Sequence, residues 1–227
     1  MPALAPGRGP AHLGPVAARS ARRALARREA SHGDAVRKLV EASFALIRET
    51  GSLEPSVAAI VERAGLSNQA FYRHFRSKDE LLLGVLDEGF RLLAGYLAHR
   101  VAQVSGAEAK VRAWMGGVLE QALQSEAAAA TRPFAVSRAR LSELFPDEVE
   151  ASERELVAPL RDALAEAVAS GALPGADPER DAAAIYTLAL GWVQRVLCQR
   201  APASRAEADH LVEFALAAVG RRPTGSD

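Results

Sequence analysis

Residues 56–80 constrain this chain more than any other stretch, because their pattern is that of two short helices joined by a tight turn. Apolar residues recur at helical spacing over Val57–Ala64, and Gly65 follows where a helix end tolerates a left-handed residue. Ser67 is then a suitable N-cap for a second helix over 68–75. This order is typical of a helix-turn-helix, whose second helix enters the major groove in proteins that bind DNA.

A third helix is predicted to start directly after the second. Ser77 and Glu80 have the spacing of a capping box, and a run of leucines follows them. Phe71 and Phe75 lie four positions apart on one face, so we expect them to anchor the second helix to its neighbours. The other positions of that helix, Tyr72 and His74 among them, are left to point outward.

Residues 64–82, AGLSNQAFYRHFRSKDELL, resemble the DNA-binding motif of the TetR family of bacterial transcriptional regulators. The resemblance implies an N-terminal three-helix DNA-binding head and a six-helix C-terminal body for ligand binding and dimerisation. Thirteen positions match the family pattern in register: Ala64, Gly65, Leu66, Ser67, Phe71, Tyr72, His74, Phe75, Ser77, Lys78, Asp79, Leu81 and Leu82.

The composition favours an all-α fold on its own. Ala, Leu, Glu and Arg are abundant, apolar residues keep helical spacing, and runs of β-branched residues are few. At 227 residues the chain suits one or two domains. It contains no run of about 18 apolar residues, so we expect no membrane span and a cytoplasmic protein.

Charge is distributed unevenly although the net charge is zero. Residues 1–82 hold 13 Lys and Arg against 8 Asp and Glu, and residues 83–227 hold 15 against 20. A basic head joined to an acidic body fits a protein that reads DNA. Chance asymmetry on solvated faces is the alternative.

The chain is predicted to divide into four segments. Residues 1–32 are a disordered Arg-rich tail, 33–80 the helix-turn-helix domain, 81–220 the helical effector-binding and dimerisation domain, and 221–227 a second disordered tail. The first firm helix is predicted to begin at Asp34. The Arg-rich tail is either an arm that contacts phosphates or the minor groove, or a frayed extension, or the product of a mis-called start codon.

The body is predicted to be helical almost throughout, with weak specification over 127–131 and a restart at Arg132. Cys198, the single cysteine, falls in a stretch with the pattern of a buried helix, so a reduced thiol is expected. Scattered histidines without neighbouring ligands predict no metal site, and no cofactor is expected. The predicted helices span about 78–104, 107–125, 132–145, 146–170, 178–199 and 204–219.

The outward residues of the second short helix are candidates for base contacts. Asn68 and Gln69 can pair with adenine, and Arg73 can pair with guanine or contact a phosphate. Asn68 as an ordinary first-turn residue is the alternative. The family resemblance, together with the helix N-termini, implies phosphate contacts from Ser56, Ser67, Tyr72, His74 and Lys78.

The resemblance also implies a homodimer that binds a palindromic operator in double-stranded DNA. A short helix reads only a few base pairs, so two heads are needed for useful affinity. The last two long helices would form the interface as a four-helix bundle, or their small residues pack within one body. The small residues that allow close helix approach are Ala183, Ala184, Gly191, Ala215 and Ala218.

A further implication of the resemblance is an apolar pocket in the body whose small-molecule effector releases the DNA. Few charged residues are expected inside, so an apolar or aromatic effector is favoured, such as an acyl thioester or a steroid-like compound. Core packing is the alternative role for each candidate. The candidates are Phe90, Trp114, Met115, Phe134, Phe145, Tyr186 and Trp192.

Two other classes of function compete with a transcriptional repressor. An enzyme is disfavoured, because the sequence has no Gly-rich phosphate loop, nucleophile elbow or paired metal ligands. A helical adaptor that binds protein without DNA specificity is the alternative, and salt-sensitive DNA affinity would separate it from a regulator.

Overall fold

The structure of the protein is a computed structural model that describes residues 15–52, 55–199 and 201–220. This part of the chain forms nine helices and no strand, which confirms the predicted all-α fold. Residues 1–14 and 221–227, for which tails were predicted, lie outside the described residues. The helices are α1 (Pro15–Thr50), α2 (Val57–Ala64), α3 (Asn68–His74), α4 (Lys78–Ala102), α5 (Ala107–Leu123), α6 (Ser125–Leu144), α7 (Pro146–Ala169), α8 (Pro178–Cys198) and α9 (Arg205–Gly220).

The head is built from α1, α2 and α3, packed against the first turns of α4. Its apolar residues come from the predicted faces of these helices and close on one core. Ser43 lies on the apolar face of α1 and is fully buried, and its hydroxyl donates to the carbonyl of Leu39 at 2.7 Å. The most deeply buried core side chains are Leu39, Ile47, Ile60, Phe71, Leu81 and Val85.

Helix α1 is longer at its N-terminus than the sequence predicts. It begins at Pro15 and not at Asp34, so the expectation of a disordered tail is wrong over residues 15–32. This segment is rich in Ala and Arg, both good helix formers, and proline suits the first helical position. A high arginine content is therefore a poor indicator of disorder here.

Helices α4–α9 form the body around a second core. Helix α4 packs on α5 and α7, α8 packs on α5, α6 and α7, and α9 packs mainly on α5. Trp114 is fully buried at the centre, and its indole N–H donates to the carbonyl of Leu156 at 3.2 Å. The predicted caps of the last two helices are confirmed: Asp177 accepts from the N–H of Arg180 at 3.1 Å, and Ser204 from that of Glu207 at 3.3 Å.

Two predictions for the body are wrong. Helix α6 runs without a break through residues 127–131, where the sequence predicts a weak segment and a restart at Arg132. Four consecutive alanines in this segment favour the helix, and Pro133 is accommodated inside it, buried. Cys198 is exposed, because it is the last residue of α8 and lies where the helix leaves the core.

Helix α4 connects the two cores. Leu81 near its start lies in the head core, and Leu97 near its end lies in the body core. Between them, Gly89 lies so close to two rings that an added Cβ would stand 3.7 Å from Phe44 and 3.8 Å from Phe134. The head and the body therefore meet in an aromatic contact beside α4.

Within the described ranges, no helix is both long enough and apolar enough to cross a lipid bilayer. The same residues bring together no group of three or more His, Cys, Asp or Glu side chains that could hold a metal ion.

Candidate nucleic-acid interface

Helix α3 is anchored to the head on one side and exposed on the other. Phe71 is fully buried, and Phe75, the C-cap, is buried beside it with the ring centroids 5.9 Å apart. Asn68, Gln69 and Arg73, the predicted base-reading residues, are all exposed. The fold therefore presents these three polar side chains to any partner that approaches α3 from outside.

The turn between α2 and α3 sets the direction in which α3 leaves the head. Gly65 has a φ of 65°, in the left-handed region that glycine occupies without steric cost. Its N–H donates to the carbonyl of Glu62 at 3.1 Å, and the N–H of Leu66 donates to that of Val61 at 2.8 Å. These bonds close the end of α2, which confirms the prediction made from Gly65.

Three exposed serines cap the helices around this turn. The Oγ atoms of Ser56, Ser67 and Ser77 accept hydrogen bonds from backbone N–H groups three residues on, at 3.1, 3.2 and 3.1 Å. Each serine accepts through its oxygen and so keeps its own O–H as a donor. The sequence interpretation used Ser77 only as a cap, although its hydroxyl is as available to a phosphate as those of the other two.

The other predicted phosphate ligands follow closely in the chain. Tyr72 is 66% exposed, and its ring meets that of Phe71 edge-on with centroids 5.1 Å apart. His74 is the last residue of α3 and Lys78 the first residue of α4, and both are half-buried. The helix start at Lys78 adds free backbone N–H groups to its ammonium charge.

The cap of α4 differs from the predicted capping box in one bond. Glu80 Oε2 accepts from the backbone N–H of Arg76 at 2.5 Å and not from that of Ser77. The reciprocal bond is therefore displaced by one residue. It still ties the chain that leaves α3 to the first turn of α4.

The body contains a cavity of about 70 Å³, which we call the inner cavity. Three of the seven predicted effector residues, Phe90, Phe134 and Tyr186, line it. The sequence interpretation missed the aliphatic part of the lining, although helical spacing places Leu86, Phe90 and Leu93 on one face of α4. The apolar lining residues are Leu86, Phe90, Leu93, Val118, Phe134, Ala135, Leu156, Leu190 and Val193, with the ring of Tyr186.

The other four predicted effector residues do not line the inner cavity. Trp114 and Met115 are fully buried in the body core. Trp192 is buried and donates its indole N–H to Glu207 Oε2 at 3.0 Å, and Phe145 packs on a small cluster at the boundary between α6 and α7. These four side chains therefore pack inside the protein, which is the alternative role that the sequence left open.

One of the residues that line the cavity carries a charge that the sequence did not indicate. Arg138 lines it and pairs with Glu153, with the Nη2 and Oε1 atoms 2.5 Å apart and both side chains mostly buried. This ion pair is one of the few places where charged side chains lie mostly buried in the body. The two residues lie 15 positions apart on α6 and α7, so nothing in their spacing reveals the pair.

The predicted dimer residues divide into two groups. Ala183, Ala184 and Gly191 on α8 and Ala218 on α9 are exposed, and an added Cβ on Gly191 would meet nothing within 4 Å. Ala215 is instead buried in the body core. The alternative of packing within one body is therefore correct for Ala215, and the other four remain available on the surface.

Residues 39–85 match the family described as bacterial regulatory proteins, tetR family. This span covers most of the head and ends in α4. The regulator BetI of Yersinia pestis (strain Pestoides F) is 33% identical over 100 residues, covering 41% of this chain and 48% of BetI. BetI of Proteus mirabilis (strain HI4320) is 35% identical over 75 residues, covering 33% of this chain and 38% of that BetI. The chain thus spans about half the length of the curated relatives it matches.

Several solved structures resemble between 78% and 87% of this chain. Their sequence identity is low, so the resemblance concerns the fold alone. FadR from Bacillus subtilis in complex with stearoyl-CoA has a TM-score of 0.59 and 18% identity, covering 78% of this chain and 96% of its own. RolR in complex with resorcinol has a TM-score of 0.63 and 14% identity, covering 87% of this chain and 98% of its own. A TetR transcription regulator from Haloarcula marismortui has a TM-score of 0.62 and 18% identity, covering 84% of this chain and 98% of its own.

Proposed function

Since this chain belongs to the tetR family of bacterial regulatory proteins, we propose that it regulates transcription in the cytoplasm by binding DNA in a sequence-specific way. One observation carries the proposal. Helix α3 is fixed from behind by the buried Phe71, while Asn68, Gln69 and Arg73 stand exposed on its outer side. A short anchored helix with amide and guanidinium groups on its free face suits the major groove.

The exposed residues would have two different tasks. Asn68 and Gln69 have the donor and acceptor geometry for adenine, and Arg73 for guanine or a phosphate. Contacts to phosphate fix the register of the head on DNA and carry no sequence information. These would come from Ser56, Ser67, Tyr72, His74 and Lys78, all within or next to the turn and the two helix starts described above.

The DNA site would be a palindrome bound by a homodimer. Exposed small residues of α8 and the apolar side chain of Phe214 on α9, which is 58% exposed, support an interface on this side of the body. Small residues let helices of two subunits approach closely, and an exposed phenylalanine gains from being covered. Two heads fixed in this way would read two half-sites.

The body would receive a small apolar effector that releases the DNA, so that the protein acts as a repressor. Solved structures of the same fold contain ligands of different kinds: stearoyl-CoA with FadR and resorcinol with RolR. In this chain the inner cavity lies between helices of the body, and its apolar lining supports an apolar occupant. A ligand shifts such an equilibrium only if it binds one conformation better than the other.

Selection of bound sequences from random double-stranded DNA by the purified full-length chain tests the proposal. We expect an enriched palindrome whose half-sites are centred about one helical turn or more apart, bound with an affinity that falls steeply with salt. The matched control carries Asn68→Ala, Gln69→Ala and Arg73→Ala, and it should enrich no such motif. Absence of enrichment with the unaltered chain, or binding that ignores salt, would favour a helical adaptor instead.

A further inference from the structure

Arg140 of α6 binds the carboxylate of Asp79 in the first turn of α4. Its Nη2 atom donates to Asp79 Oδ2 at 2.9 Å and lies 2.7 Å from Asp79 Oδ1. The two residues are 61 positions apart in the chain, so the pair joins the body to the helix start that carries Lys78. Contact with both oxygens brings the guanidinium charge as close to the carboxylate as an ion pair allows.

Asp79 lies next to Lys78, one of the proposed phosphate ligands. The start of a helix attracts a phosphate through its free backbone N–H groups and through the helix dipole. A carboxylate in the same turn opposes this attraction, because it is a negative charge at a distance comparable with the screening length of about 10 Å at 0.1 M salt. Asp79 without a partner would therefore weaken the phosphate site beside it.

The positive charge around the start of α4 is small. With histidine counted as neutral, residues 73–80 carry three cationic and two acidic side chains. Their sum is one positive charge, and Arg140 raises it to two. One residue of the body thus supplies as much of the local excess as the whole segment that leaves α3. The cationic residues of the segment are Arg73, Arg76 and Lys78, and the acidic residues are Asp79 and Glu80.

The pair contributes little to folding. The side chain of Arg140 is 60% exposed and that of Asp79 is 25% exposed. Water screens such a pair, and holding a long arginine side chain in one geometry costs conformational entropy. The charge of Arg140 therefore matters more for what binds at the start of α4 than for the stability of the body.

We infer that Arg140 supports DNA binding through Asp79, although it belongs to the body. It keeps the carboxylate neutralised, so that Lys78 and the helix start present a positive surface to a phosphate. The inference rests on the proposed function, in which this surface meets DNA. Because earlier turns of α6 line the inner cavity through Phe134 and Ala135, the pair also joins the wall of that cavity to the proposed DNA surface.

Binding of the selected palindrome by Arg140→Ala, Asp79→Asn and the double variant tests the inference. Fluorescence anisotropy over a salt series measures the affinities, and thermal unfolding confirms that each full-length variant is folded. Arg140→Ala should weaken binding about threefold to tenfold at 0.1 M salt, because an unpaired carboxylate would face the phosphates in each of two heads. Asp79→Asn alone should bind at least as tightly as the unaltered chain.

The double variant separates a role through Asp79 from a direct contact with DNA. It lacks both the carboxylate and its partner, so its affinity and salt slope should return to within about twofold of those of the unaltered chain. A double variant that binds as weakly as Arg140→Ala would show that the guanidinium itself contacts a phosphate, and would overturn the inference. Equal binding by Arg140→Ala and the unaltered chain would overturn it as well.

Arg161→Ala is the matched control. Arg161 is a partly exposed arginine on α7 that pairs with Asp162 at 3.1 Å. Asp162 lines a surface opening together with Ala98, which lies 20 residues from Lys78 along α4, or about 30 Å. Loss of this arginine removes the same charge far from the proposed DNA surface, so the affinity should stay within about twofold of that of the unaltered chain. An equal loss of affinity in Arg161→Ala and Arg140→Ala would trace the effect to net charge and not to Asp79.

The same measurements distinguish failure of this inference from failure of the proposed function. An unaltered chain without salt-sensitive affinity for any DNA would remove both. An unaltered chain that binds its palindrome, together with an Arg140→Ala variant that binds equally well, would keep the role in transcription and remove the role of Arg140.

Discussion

Phe134 of α6 packs against Phe44 of α1, with the ring centroids 5.2 Å apart and the ring planes inclined by 30°. Phe44 packs against the head core, and Phe134 comes from the body. The ring of Phe134 also lines the inner cavity and a larger opening whose lining includes Phe44 and Arg48 of the head. A ligand that moves this ring therefore also changes the contact between the body and the head.

The aromatic contact should be measurable as a coupling energy. Phe44→Leu, Phe134→Leu and the double variant form a double-mutant cycle, and we expect a coupling of about 0.5–1.5 kcal/mol. Urea denaturation at one fixed protein concentration gives the free energies of unfolding. A control cycle with Phe44→Leu and Phe214→Leu should be additive within about 0.5 kcal/mol. Additivity in the first cycle would mean that the rings touch without energetic consequence.

Gly65 and Gly95 should respond in opposite directions to substitution by alanine. Gly65→Ala forces a side chain into the left-handed region at a φ of 65°, which we expect to cost about 1–2 kcal/mol of stability. Gly95 lies exposed inside α4, and nothing stands within 4 Å of an added Cβ, so Gly95→Ala should gain about 0.5–1 kcal/mol. Thermal unfolding of both variants checks the signs. A stabilising Gly65→Ala would mean that the turn is not formed as described.

Gln69 and Lys78 should affect DNA binding differently if they contact a base and a phosphate. Gln69→Ala should change the selected motif at one position in each half-site, at a cost of about 1–3 kcal/mol for the preferred base. Lys78→Ala should weaken binding to all sequences alike and lower the salt slope by about one per head. Binding to the selected and scrambled sequences over a salt series separates the two effects. A Gln69→Ala motif identical to the original would remove this residue from base recognition.

Phe214 should be required for the dimer. Phe214→Glu places a charge where the ring is 58% exposed on α9, so it should shift a dimer toward monomer without unfolding the body. Leu144→Glu is the matched control, because Leu144 is 50% exposed at the end of α6 and outside the proposed interface. Sedimentation velocity at micromolar concentration measures both. Dimers of equal stability in the two variants would place the interface elsewhere.

The head could be predicted from sequence in detail because its signals are local. Gly65 requires a left-handed backbone, and Ser67 caps the next helix within three residues, so the turn follows from neighbouring positions. Phe71 and Phe75 share a face by spacing alone, and both are buried. Where the sequence interpretation failed in the first helix, two local tendencies competed: dense arginine indicates a solvated tail, and abundant alanine favours a helix.

The cavity could be predicted only in part, because its lining depends on which helices meet. Aromatic residues in the body are few, so Phe90, Phe134 and Tyr186 were found together with four residues that pack elsewhere. A linear pattern cannot separate an aromatic ring that lines a cavity from one that fills the core beside it. The Arg138–Glu153 pair exists only because α6 and α7 lie side by side.

The length of α4 gives small movements in the body a large effect at the other end. Its 25 residues span about 37 Å, from Lys78 at the proposed DNA surface to the turn where Arg100 pairs with Glu120 of the body. If the helix rotates as a rigid body about this pair, a tilt of about 5° moves Lys78 by roughly 3 Å. That distance is as long as a hydrogen bond, so a tilt of this size would carry Lys78 out of reach of a phosphate that it contacts.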